Sequence, residues 1–266
     1  MDNSDKVFKI IIKNPKNFID TLICLSKIVS NCFIELIPNE NSGGKIRIKY
    51  FSNNVFVFLL FGEEIFKNFE CVQEGFISNI KISGLKFYDG ILEKTVIYLN
   101  TGEQNIFINN KYYDYEEQIK IPIKTNIHKK ISNLPKFPKI IYDHKITLKI
   151  SCLKDVCTKL ENISKNMKMS ITKNSISFKS KRKNSQTKIK FKDDTGGNNM
   201  PNYNIYSIVK NKYILKLSKS VKHCMVEIYL KEKNQPVLFK LPMGENIELL
   251  ILIPDESDKN FELFLV

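Results

Sequence analysis

The sequence predicts an α+β fold made of two similar domains, each many-stranded with two helices, joined by a long crossover. Three observations predict it. A strand–helix–strand pattern occurs twice at a nearly constant offset. The ends of the two halves resemble each other. A proline-bearing stretch of weak periodicity separates them. At 266 residues the chain is long enough for two domains of ordinary size.

The first half opens on "VFKIIIKNPKNFIDTLICLSKIVSNCFIELIP", with a strand-like run from Val7 to Lys13. Asn14 can cap a helix, and Pro15 suits its first position because proline lacks the N–H that would be orphaned there. Phe18, Leu22, Leu25 and Val29 then recur at helical spacing, and a second strand-like run covers Cys32 to Ile37. The second half repeats this order. Ile146 to Ile150 reads as a strand, Leu153, Val156, Cys157, Leu160 and Ile163 follow at helical spacing, and "MKMSIT" comes next. Phe18 and Leu153 stand 135 residues apart (153 − 18). Near the ends of the halves, "VIYLNTGEQNIFINN" resembles "EIYLKEKNQPVLFKL", with Ile97 and Ile228 131 residues apart (228 − 97). Offsets this close point to a duplicated unit of about 130 residues.

Each half has a second candidate helix, over Ser78–Ile91 with Gly84 inside it and over Tyr206–His223. Pro122, Pro135 and Pro138 mark an extended connection. The expected division is residues 1–119, a linker at 120–143, and residues 144–266 ending in an apolar tail, Phe261–Val266.

Charge bounds the partners. Forty-two Lys and Arg against 28 Asp and Glu give a formal +14, which favours a polyanion, with nucleic acid ahead of an acidic membrane. A lysine-rich proteome from an AT-rich genome, such as that of a large DNA virus or a protist, would produce a similar total, so position matters more. Tyr206–His223 carries Lys210, Lys212, Lys216, Lys219 and Lys222 and no acid. Lys212, Lys216 and Lys219 share one helical face, where like charges repel. The stripe reads either as a solvated face or as one that opposes phosphates. The other candidate helices add Lys154, Lys159 and Lys165, Lys16 and Lys27 opposite Asp20, and Lys81 and Lys86. The stretch "SFKSKRKNSQTKIKFK" is basic throughout, whereas "YYDYEE" (Tyr112–Glu117) is acidic. Unlike patches of this kind can join copies head to tail into a ring. The basic segments lack the interleaved aromatics of single-strand platforms, so sequence-independent, salt-sensitive contact with a duplex backbone is expected.

Catalytic signatures are missing. The sequence has no phosphate loop, dinucleotide fingerprint, HExxH or GxSxG. The six cysteines form no CxxC pair, so neither a zinc site nor a disulfide framework is expected, and the reading is a reducing, intracellular setting without a signal peptide. No cofactor, no metal and no enzymatic activity are expected.

From Phe8 to about Pro254 the chain resembles the DNA sliding clamps of the proliferating cell nuclear antigen (PCNA) family. The resemblance lies in the order and spacing of "FKIIIKNPKNFIDTLICLSKIVSNCFIEL", "FGEEIFKNFEC", "DYEEQIKI", "CLKDVCTKLENIS", "NSISFKSKRKNSQTKIKF" and "QPVLFKLPMGENIELLILIP". It implies a ring of three copies with antiparallel sheets outside and helices lining a hole for duplex DNA. The lysines named above would then face the DNA. It implies a subunit contact between Tyr112, Asp114, Glu116 and Glu117 on one copy and Gln186, Lys188, Lys190 and Phe191 on the next. It also implies a docking pocket for partner peptides at Tyr50, Val57, Leu134, Phe137, Pro236 and Ile251. Ile251 stands where the family usually has tyrosine. The implied partners are duplex DNA, a DNA polymerase and other docking proteins, a clamp loader and further copies of the chain, in the nucleus or a viral replication compartment. Three alternatives stay open: a subunit of a heteromeric checkpoint-type clamp, a clamp-like factor of viral transcription, and a basic β-rich structural protein that does not encircle DNA.

Overall fold

The structure is a computed structural model that describes residues 6–39, 43–52, 55–71, 75–123, 137–138, 140–142, 144–172, 175–183, 185–192, 205–221, 224–231 and 235–256. The chain begins with β1 (Lys6–Ile12), α1 (Pro15–Ile28), β2 (Asn31–Pro38), β3 (Gly44–Ser52) and β4 (Val55–Phe61). A single 3₁₀ turn, Glu63–Ile65, leads to β5 (Phe66–Cys71), β6 (Gly75–Lys81), β7 (Leu92–Asn100), β8 (Asn105–Tyr112) and β9 (Glu116–Pro122). Then come β10 (His144–Lys149), α2 (Ile150–Glu161), β11 (Asn166–Thr172), β12 (Ser175–Arg182) and β13 (Ser185–Lys192). The described chain closes with β14 (Ile205–Lys210), α3 (Asn211–Ser220), β15 (Met225–Leu230), β16 (Val237–Gly244) and β17 (Ile247–Ile253).

Two compact units emerge. Unit one is Met1–Tyr50, Phe58–Asn133 and Met243–Leu249, and unit two is Phe51–Val57, Leu134–Pro242 and Leu250–Val266. β3, β4, β16 and β17 therefore contribute residues to both. Unit one holds the antiparallel sheet β5-β1-β7-β8-β9 and the neighbours β3, β2 and β6. Unit two holds the sheet β13-β12-β11-β14 and the neighbours β10, β15 and β16.

Helix α1 forms as the residues direct. The Asn14 side chain accepts a hydrogen bond from the Asn17 N–H (3.3 Å), with Pro15 at the first helical position. Its apolar stripe, Phe18, Leu22, Leu25 and Ile28, is buried, and the Phe18 ring lies 4.6 Å from that of Phe61. In unit two, α2 buries Leu153, Val156, Cys157 and Leu160 and packs against β10 and α3.

Two expected helices differ from those observed. Ser78–Ile91 is not helical. Its start completes β6, which pairs antiparallel with β2, and the chain from Ile82 to Ile91 is irregular. The β-branched Ile77, Ile80 and Ile82 are all buried; a ladder on β2 pairs the first two, and the Ile82 N–H donates to the Ser30 carbonyl (3.0 Å). Gly84, at φ 80, turns the chain in a region closed to helix. Tyr206–Lys210 is strand β14, paired with β11, so α3 begins only at Asn211. Among the described residues there are three helices, one in unit one and two in unit two, rather than two in each.

Candidate nucleic-acid interface

Helix α3 buries Ile214, Leu215, Leu217 and Ser218, which leaves Lys212, Lys216 and Lys219 exposed along its other side. The Lys212 ammonium sits over the Tyr213 ring, 4.7 Å from its centroid. Helix α2 exposes Lys154 and Lys159, and Lys165 is exposed in the turn that follows. The two helices pack together, and between the start of α2 and the end of α3 lies a cleft of about 580 Å³. Lys149, Lys154 and Lys219 line it, with Ser151 and Ser218. No side chain caps the N-terminus of α2, where the Ile150 N–H donates to the Cys224 carbonyl (3.0 Å), and the helix dipole adds partial positive charge beside these ammonium groups. Sequence reasoning missed Lys149; the available signal was a lysine directly before the first helical residue.

The remaining lysines are less uniform. Lys16 and Lys27 are exposed on α1, with exposed Asp20 between them in sequence. Lys81 ends β6 and Lys86 lies in the irregular stretch, so neither stands on a helix, for the backbone reason given above. Lys210 sits at the end of β14, where its ammonium pairs with Glu256 at 3.3 Å, and that charge is already balanced. Lys222 lies outside the described residues.

The two oppositely charged runs lie on β9 and β13, each outermost in its sheet. The acidic run is only partly a strand. Tyr112 ends β8, residues 113–115 form the hairpin connection, and β9 starts at Glu116. Asp114 and Glu116 are exposed, but Tyr112 and Glu117 are engaged within unit one. Thr95 Oγ1 donates to Asn110 Oδ1 (2.7 Å), Asn110 Nδ2 donates to Glu117 Oε2 (3.0 Å), and the Tyr112 hydroxyl donates to the same oxygen (3.3 Å). Buried Thr95 and Asn110 need these partners, which is why Glu117 is not left for a neighbour. The Tyr112 phenol is pushed up to about 12, first by burial and then by the Glu117 charge. On β13, Gln186, Lys188 and Lys190 are exposed. Phe191 alternates to the other face, where its ring meets Phe178 edge-on at 6.0 Å.

Of the residues expected to take a docking peptide, Val57, Pro236 and Ile251 are buried, and Phe137 is half-buried with its ring edge-on to Phe56 at 5.4 Å. Tyr50 is half-buried on β3, and Leu134 lies outside the described residues.

Among the described residues no His, Cys, Asp and Glu cluster could hold a metal ion. Burial pushes the Cys32 and Cys224 thiols up. It also pushes Cys157 to about 12, helped by Glu161, so these thiols stay protonated and unreactive. Among the described residues no helix is long and apolar enough to cross a membrane.

No protein-family model matches the sequence, and no curated protein does either. Solved structures do match. PCNA from Thermococcus kodakaraensis is 18% identical, with 93% of this chain and 99% of that one covered, at a TM-score of 0.74. Proliferating Cellular Nuclear Antigen from Entamoeba histolytica is 14% identical, with 94% and 99% covered, at 0.75. At such identities the likeness is one of fold. The chain has the α+β sliding-clamp fold of PCNA along almost its whole length.

Proposed function

We propose that the protein is a ring-forming sliding clamp that encircles duplex DNA and holds a DNA polymerase to its template. The observation that carries this reading is an acid-free lysine stripe, Lys212, Lys216 and Lys219, on a helix of a sliding-clamp fold. In this reading residues 1–119 and 144–266 are the two clamp domains, linked through 120–143. Three copies close the ring, with Asp114 and Glu116 on β9 facing Lys188 and Lys190 on β13 of the next copy. A ring that encloses DNA stays on it by topology. Diffuse contacts to phosphate are then sufficient, and they let the ring slide. A tethered polymerase gains effective concentration at the primer end and becomes processive. Other replication and repair proteins dock through short peptides, and a loader opens the ring.

Light scattering near physiological salt tests the assembly. A mass of about three times 31.0 kDa is expected, and a clean monomer at high concentration would count decisively against a ring of identical copies. Lys188→Glu with Lys190→Glu should break the oligomer, with partial rescue by Asp114→Lys and Glu116→Lys.

One observation favours a second reading, a subunit of a heteromeric clamp. Tyr112 and Glu117 turn inward, so the β9 edge offers less acid to an identical copy than the sequence implies. A monomer that gains mass only with a different clamp-like chain is the outcome expected from that reading.

A further inference from the structure

The sheet β13-β12-β11-β14 has one face in the core and one that is not. Met167, Met169, Ile176 and Phe178 form the first, all fully buried, and α2 packs against β12. Directly paired residues of an antiparallel ladder share a face. The pairs Lys168↔Lys179 and Lys179↔Lys188 therefore align three lysines in one row across β11, β12 and β13, on the face opposite the buried one. Neighbouring rows add Lys190 opposite Ser177, Lys192 opposite Ser175, and Lys181 opposite Gln186.

Like charges set directly opposite each other destabilise a sheet, so packing does not select this row. Nothing nearby in sequence balances it. From Asn162 to Lys192 there are nine lysines, one arginine and no acid. Among the described residues none of the six lysines forms an ion pair, and Lys168 instead lies over the Tyr206 ring at 3.4 Å. Between the lysines sit hydroxyls, with Ser170 and Ser177 hydrogen-bonded at 2.8 Å. Ser175 and Ser177 are buried, so the face presents chiefly ammonium groups, spaced about 6.6 Å along a strand and about 4.8 Å between strands.

The pattern also selects a class of partner. The large apolar side chains exposed among the described residues are Tyr88, Ile91, Tyr113, Tyr115, Ile141 and Met225, and none is on this face. It lacks the aromatic anchor of a protein hot spot and the apolar wedge of a membrane-inserting surface. Lysines position phosphates, and the face offers no base-stacking platform beyond the covered Tyr206. We propose that this face binds the phosphate backbone of a second stretch of nucleic acid, without reading its sequence, as a site separate from the α2–α3 wall.

The test uses the full chain and a labelled linear 20-base-pair duplex, with binding followed by anisotropy across a salt series. Lys179 and Lys181 are suitable targets because they belong to neither the helix wall nor the β13 edge. Lys179→Gln with Lys181→Gln should weaken binding and lower the slope of log K against log salt by about 1.8, the loss of two phosphate contacts. A wall variant, Lys212→Glu/Lys216→Glu/Lys219→Glu, should retain binding that the two Gln changes then weaken, with the same fall in slope. Circular dichroism controls for folding. An unchanged slope in the Gln variant, or complete loss of binding in the wall variant alone, would overturn the proposal. So would vesicles rich in phosphatidylserine, or polyglutamate, occupying the face where the duplex does not. A chain that forms no ring would still show the expected result, so failure of the clamp reading leaves a distinct signature.

Discussion

Tyr112 joins a short polar network inside unit one, and its titration reports on that enclosure. Its phenol is pushed from 10.0 up to about 12, mainly by burial and next by the Glu117 charge. The folded chain therefore holds this proton more tightly than the unfolded chain does. The corresponding stability is fully present below about pH 10 and is lost as the pH rises towards 12. Tyr112→Phe removes the titration. Denaturant unfolding of both proteins across that window should show a fall in the wild type that the variant lacks, amounting to a few kcal/mol at most. Parallel curves would mean that the hydroxyl is not enclosed. Asn14 is a residue whose role was readable directly, because capping depends on atoms only three positions away. Glu117 was not, because its partners Asn110 and Tyr112 meet it only once β8 and β9 pair.

At the scale of elements, the end of the described chain straps β14. Buried Asp255 accepts hydrogen bonds from the Ser207 hydroxyl (2.8 Å) and the Ile208 N–H (2.7 Å), and the Glu256 N–H donates to the Ile208 carbonyl (2.7 Å). These bonds satisfy β14 on the side away from β11, next to the start of α3. Asp255→Ala would leave a buried hydroxyl and a backbone N–H without this partner. It should cost about 2–3 kcal/mol in urea unfolding, whereas a loss under about 0.5 kcal/mol would show that the strap is dispensable. The helices show how far local pattern reaches. The Asn14-Pro15 start and four apolar residues at helical spacing were enough for α1. In Ser78–Ile91 the apolar spacing suited either structure, and the available ladder on β2 decided for a strand. At Tyr206–Lys210, alternation with period two was hidden inside a longer stretch whose lysines kept helical spacing.

For the molecule as a whole, the question is where a formal +14 is placed. The sliding-clamp fold carries exposed lysines on α3 and α2, and it carries a further set on the outer face of the β13-β12-β11-β14 sheet. A chain that encircles DNA should remain on closed circular DNA after loading and slip from linear DNA of the same length. Changing Lys212, Lys216 and Lys219 to Glu should reduce retention on the circle, measured by gel filtration of the loaded complex. Equal retention would remove those residues from the DNA-facing wall. Lys179→Gln with Lys181→Gln should leave this retention unaltered while weakening binding of short linear DNA.

By itself the sequence determined the α+β class, the repeated strand–helix–strand order, the start of α1 and the concentration of lysine in the second half. These are properties of local periodicity and composition, written within one or two helical turns. Only the tertiary structure decided that the described residues of unit one form a single α-helix, that Glu117 and Lys210 spend their charges internally, and that three lysines align in one row across three strands. Those outcomes depend on which strands pair and in what register, and register brings together residues that no local pattern relates.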